Sequence, residues 1–149
     1  MKMARGGRAS IRWFCVGIYT ALVTALSLAP RQTFGDFPLP IPHLDKAVHF
    51  GMYAVYAALL AWALGGNRRA TWWPWLGGVV IFCSLYGAGM ELMQSTVPVL
   101  GRTQCLSDAL ANALGSITGA TSYSWIRNLS ASVTRPVQSC KDETDNSPS

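Results

Sequence analysis

The stretch Asp45–Leu64, DKAVHFGMYAVYAALLAWAL, decides how the rest of the chain is read. From Ala47 to Leu64 it carries no formally charged side chain apart from what His49 could acquire. A helix of about 20 apolar residues, rising 1.5 Å each, crosses the roughly 30 Å of hydrocarbon in a bilayer. A surface helix of a soluble protein would need a charged face. This stretch has none, yet it opens with Asp45 and Lys46 and keeps His49 and Tyr53 on one side. It predicts a membrane span with a polar group at one end.

Three more stretches read the same way. They run from about Ile11 to Ala29, Trp72 to Val97 and Leu106 to Ile126. The last is rich in Ala, Gly, Ser and Thr, residues that packed membrane helices tolerate where backbones approach closely. The expected fold is an all-α membrane protein with four transmembrane helices, both termini cytoplasmic and short outer loops. Residues 1–10 form a basic cytoplasmic start, 11–126 the membrane domain, and 127–149 a polar tail that lacks an apolar pattern and is expected to be disordered. Composition agrees: of 149 residues 50% are hydrophobic and 13% charged, where a soluble domain carries about 25% charge.

The formal charge is +5, and its distribution argues against nucleic acid as the partner. Lys2, Arg5, Arg8 and Arg12 precede the first span, Arg68 and Arg69 lie between the second and third, and Arg127, Arg135 and Lys141 follow the fourth. Only Arg31, Lys46 and Arg102 fall on the other side. Basic residues gather on the cytoplasmic face, which puts the termini inside. Trp13, Trp62, Trp72, Trp73, Trp75 and Trp125 all fall at the same cytoplasmic ends, where indole suits the headgroup level. The first span begins like a secretory signal, but Pro30 directly after Ser27-Leu28-Ala29 argues for a retained helix. Cys15, Cys83, Cys105 and Cys140 contain no Cys-x-x-Cys pair, so neither a disulfide framework nor a thiol-rich metal site is expected.

With this topology every acid ahead of the tail faces outward: Asp36, Asp45, Glu91 and Asp108. Asp45 and His49 share one helix face, as do Glu91 with Gln94 and Asp108 with Asn112. Pro98 marks the end of the third helix, which leaves Glu91 roughly 10 Å below it, within the outer leaflet. A carboxylate there must pair, protonate or line a wet cavity. Asp45 has a plainer alternative as a cap of its helix, with Ser107 an N-cap of the fourth. Gly115 and Gly119 are expected to serve close helix packing. Arg102, in the short outer loop, is suited to bidentate binding of phosphate or carboxylate, or to neutralising a nearby acid.

The ordered set Asp45-Lys46-x-x-His49-Phe50-x-x-Tyr53, Glu91-x-x-Gln94, Gly101-Arg102 and Asp108-x-x-x-Asn112-x-x-Gly115 resembles the VanZ-like family. The resemblance covers about Ile11 to Ile126 and leaves out the acidic tail and the first outer loop, where Pro38, Pro40 and Pro42 alternate in an extended proline arm. It implies a small integral membrane protein of a family named for glycopeptide, especially teicoplanin, resistance. It does not imply a reaction.

Two functional classes compete. In the first, the outward site binds an amphiphilic or cell-wall-related ligand, a membrane lipid or lipid-linked cell-wall intermediate, with Asp45, Lys46, Gln94, Arg102 and Asn112 as ligand-binding residues. An envelope protein partner or a second copy of the chain fits the same reading. In the second, it is a hydrolase or transferase acting on a lipid-linked envelope intermediate. Glu91 or Asp108 would then be the general base and His49 a proton donor or shuttle. No nucleophile motif supports the second class. A divalent-cation site is disfavoured by Lys46 and Arg102, so no metal and no cofactor are expected. The expected location is the cytoplasmic (inner) membrane.

Overall fold

A computed structural model folds the chain into four helices: α1 (Met3–Leu28), α2 (Leu44–Leu64), α3 (Trp73–Thr96) and α4 (Leu106–Val133). It describes residues 3–29, 44–65, 73–96 and 106–133. The proline arm with Arg31 and Asp36, the Arg68–Arg69 turn, Arg102, Cys105 and the tail beyond residue 133 lie outside the described residues.

Proline sets several of the helix limits. Proline disfavours helical backbone in the residue before it. Thus α1 stops at Leu28, ahead of Pro30, and α3 stops at Thr96, ahead of Pro98. Pro74 sits in the first turn of α3, where its missing N–H costs nothing. α1 and α4 are longer than the apolar runs within them. α1 begins at Met3, so residues 3–10 of the basic start are helical, and α4 runs on to Val133, past Ile126. Helix α4 is described from Leu106 onward, with Ser107 at its start.

α2 forms the centre of the bundle. Its most extensive interface is with α4, and the two run in the same direction. Gly115 lies on the carbonyl of Phe50, Gly119 on the carbonyl of Ala54, and Gly65 beside Tyr123 and Arg127. A Cβ at Gly115 or Gly119 would fall on those carbonyl oxygens, so only glycine permits this approach. The packing role expected of the two glycines is the one the structure gives them.

α1 and α3 run against α2. α1 buries Val16 and Val23 in the core and is also stapled on by polar links. Tyr19 donates its hydroxyl hydrogen to the Met52 carbonyl (3.0 Å), Thr20 donates to the Tyr56 hydroxyl (3.0 Å), and Thr24 pairs with the Tyr86 hydroxyl (2.5 Å). Lower down, the Arg12 guanidinium lies 5.1 Å from the Trp62 ring centre and donates to the Trp62 carbonyl at 3.4 Å. Lipid tails are as apolar as leucine, so hydrogen bonds and close packing must hold such helices together.

The surface is inverted relative to a soluble bundle. Ile11, Phe14, Ile18, Leu22, Ile81, Phe82 and Leu85 are exposed, while His49, Glu91, Gln94, Asp108, Asn112 and Ser116 are buried. α1 from Gly7, α2, and α3 from Pro74 are each long and apolar enough to cross a membrane. α4 falls short of that apolar content, and its faces say why. Leu106, Leu110, Leu114 and Ile117 point outward, whereas Asp108, Ala111, Asn112, Ser116 and Ala120 are turned in. The small and polar inner face lowers the average of a helix whose outer face is leucine-rich. Trp75 lies in the first turn of α3. It packs against the core, and its ring N–H is buried without a hydrogen-bond partner among the described residues.

Candidate functional site

The buried polar side chains gather where α2 and α4 begin and α3 ends. That end is set by the shared direction of α2 and α4 and the opposed direction of α3. His49, one turn into α2, therefore meets Glu91, about one turn from the end of α3, and Asp108 sits in the first turn of α4.

His49 is the hinge of the cluster. Its Nδ1 lies 2.9 Å from the backbone carbonyl of Asp45. A carbonyl only accepts, so Nδ1 is the donor and Nε2 is the atom left to face a partner. That partner is Glu91, whose Oε1 is 3.5 Å from Nε2. The Asp45 carboxylate is 3.7 Å from Nδ1 and stands largely in the open, while the imidazole and the Glu91 carboxylate are buried. The Nε2–Glu91 separation exceeds the 2.7–2.9 Å usual for a charge-assisted hydrogen bond. Groups poised for chemistry or ligand capture often stand this far apart before the ligand arrives.

Not every expected site residue faces the same way. Glu91 and Gln94 are both buried on α3, but the Gln94 amide turns to α1 and donates to the Ser27 carbonyl at 2.6 Å. That bond gives an accepting carbonyl of the last turn of α1 a partner, so Gln94 serves the joint between α1 and α3. Lys46 is half-buried at the start of α2. Asp108 is buried and joins the cluster from α4. Arg102, assigned to ligand binding from the sequence, lies outside the described residues.

Below this ionisable layer lies one that residue spacing on single helices did not bring together. One turn further into the bundle, α2 presents Tyr53, α4 Asn112 and α3 Gly87. Tyr53 and Asn112 are each 1% exposed. Neither the Tyr53 hydroxyl nor either polar atom of the Asn112 amide has a hydrogen-bond partner among the described residues. A Cβ on Gly87 would stand 2.9 Å from Asn112 Nδ2 and 3.0 Å from the Tyr53 ring. Glycine therefore lets both side chains close against the backbone of α3. A buried group left unsatisfied costs about 1–3 kcal/mol. The next turn down is sealed by Ala57, Cys83 and Ser116, all fully buried, with Ser116 donating to the Asn112 carbonyl at 2.8 Å. The sequence signal for Gly87 was its place one turn from Glu91; it reads as a site position only once α3 is known to cross Tyr53 and Asn112.

Among the described residues, no group of three or more His, Cys, Asp and Glu side chains is placed to hold a metal ion. The arrangement is suited to binding polar groups that enter from the end of the bundle, and His49 with Glu91 could pass a proton between them.

Comparison with known proteins gives one match. A family model described as VanZ/LLP1 matches residues 10–127, from the third turn of α1 to within the last turns of α4. No curated protein and no solved structure matches.

Proposed function

The chain belongs to the VanZ/LLP1 family and is a membrane protein of that type, and from that premise we propose that it captures an amphiphilic, cell-wall-related ligand at an outward-facing polar site. The observation that carries this reading is the buried pair of His49 and Glu91, 3.5 Å apart where α2 begins and α3 ends, with Asp108 buried in the first turn of α4. Ionisable groups at membrane depth are expensive and mark functional sites by default. The ligand is a membrane lipid or lipid-linked cell-wall intermediate, the membrane is the inner one, and protection against a glycopeptide such as teicoplanin is one physiological outcome. An envelope protein or a second copy of the chain is a further candidate partner.

All four helices span in this proposal, with both termini cytoplasmic. The parallel run of α4 beside α2 supports it, because α4 then traverses the same thickness, and its outward leucines suit lipid. In a protein whose own four cysteines are replaced by serine, Leu106→Cys reacts with a membrane-impermeant maleimide on intact cells. Asn128→Cys reacts only after the membrane is opened. Labelling of both from one side would remove the fourth span.

The site itself is tested by comparing wild type with Glu91→Gln at equal membrane levels, by mass spectrometry of lipid-linked species. One species co-purifies with wild type and is lost from the variant, while total cellular profiles match. Identical co-purified lipid from both proteins would sink the reading. The alternative is a hydrolase or transferase acting on a lipid-linked intermediate. It is favoured by His49 standing between a fixed carbonyl and the Glu91 carboxylate, as a general base pair would. Its signature is a species consumed, and another formed, only with wild type.

A further inference from the structure

Three successive turns of the bundle differ in kind. The first holds ionisable groups: His49 from α2, Glu91 from α3 and Asp108 from α4. The second, about 6 Å further in at 1.5 Å per residue, holds Tyr53, Gly87 and Asn112. The third is the sealed set of Ala57, Cys83 and Ser116. Ionisable groups thus give way to neutral polar ones and then to a layer whose only polar hydroxyl, that of Ser116, is already bonded to the Asn112 carbonyl.

The second layer is the unexplained one. Apolar side chains would pack there without penalty, yet it carries an amide and a phenol whose polar atoms have no partner among the described residues. Asn112 is 1% exposed, so solvent does not supply one. The Asn112 amide nitrogen and the Tyr53 ring border the same point above Gly87, a point already too tight for a methyl group, so a group that enters swings these side chains aside and then meets both. Each of them donates and accepts, and neither is charged. Their complement is a neutral group that also donates and accepts. A phosphate or an ammonium at this depth would be stripped of water with no opposite charge beside it in this layer.

We propose that Tyr53 and Asn112 form a neutral hydrogen-bonding subsite beneath His49, Glu91 and Asp108, and that it takes a hydroxyl-bearing headgroup, a sugar or a glycerol. The inference rests on the reading of the outer cluster as an amphiphile site and assigns the chemical class of that amphiphile. Asn112 offers its amide to one or two hydroxyls, and the Tyr53 hydroxyl donates to or accepts from the same group. Gly87 keeps α3 close enough for both to be reached.

The test is native mass spectrometry of the full-length protein in amine-oxide micelles. It uses four probes with the same dodecyl chain: dodecyl glucoside, 1-dodecanoylglycerol, dodecyl phosphate and dodecylammonium. Wild type binds one equivalent of the glucoside or of the glycerol ester, and whichever binds identifies the source of the hydroxyls. Tyr53→Phe and Asn112→Leu each weaken that binding about tenfold or more, the loss expected of a good hydrogen bond in a dry site. Asn112→Leu removes an unpartnered buried amide, so its thermal stability is retained or raised. Tyr53→Phe keeps the ring and guards against a folding failure of the first variant.

Preferential binding of the phosphate or ammonium probe overturns the subsite. So does wild-type binding by both variants, or failure of wild type to bind either neutral probe. If Glu91→Gln abolishes binding while Tyr53→Phe and Asn112→Leu preserve it, the outer site stands and this subsite falls. If all three variants bind like wild type, both fall.

Discussion

Gly119→Ala destabilises the bundle by about 1–3 kcal/mol or more, the cost of overpacking a close-packed interior. Gly119→Leu is not recovered as a folded protein. The new Cβ would meet not a side chain that can swing aside but the carbonyl of Ala54, with the Ala54 carbonyl carbon and Cα directly behind it. Relief requires α2 and α4 to separate along the whole line on which Gly115 faces Phe50 and Gly119 faces Ala54. Separation also forfeits the Cα–H contacts with those carbonyls, which recur where helices approach this closely. Gly17 supplies the control. A Cβ there meets nothing within 4 Å, so Gly17→Ala is neutral or gains the roughly 1 kcal/mol by which alanine favours helix over glycine. Thermal unfolding of the purified variants, followed by circular dichroism, gives the comparison. Equal melting of Gly119→Ala and wild type would show that α2 and α4 do not meet through these glycines.

The second large effect is at the ionisable layer. His49→Leu alone or Glu91→Leu alone costs about 1–3 kcal/mol, because each takes a buried polar partner away from the other. The double variant His49→Leu/Glu91→Leu regains most of that stability, since two apolar side chains of similar bulk replace the pair and neither member is left buried without the other. A double-mutant cycle in thermal unfolding therefore shows strong coupling of the two sites. Ligand capture is lost in all three variants, including the stable double one. This separates the groups' functional role from any service to folding. Additive single effects would mean that His49 and Glu91 do not face each other.

These two predictions draw on different kinds of information. The pairing of Asp45 with His49 on one face, and of Asp108 with Asn112, was legible because helical periodicity alone places such residues one above the other. So was the burial of Glu91, because Pro98 marks the helix end and the distance along α3 follows from its rise per residue. Gly115 and Gly119 could be assigned to packing, though their partners could not. Gln94 shows the boundary. Its face was right, but α1 also touches that face, and the amide went to the Ser27 carbonyl. Gly87 was invisible as a site position because its meaning lies in what crosses above it.

By itself the sequence determined the apolar runs, the proline stops, the polar end of the bundle and the family to which the chain belongs. Those properties follow from solvent transfer and from contacts within one helix, both of which are local in the chain. Only the tertiary structure decided that α2 and α4 run side by side in one direction. It alone showed that Glu91 rather than Asp108 is the acid at His49 Nε2, and that Tyr53 and Asn112 close over Gly87. Those are contacts between helices, and the deciding ones at Phe50 and Ala54 are made by backbone carbonyls, which every residue carries and no side-chain pattern distinguishes.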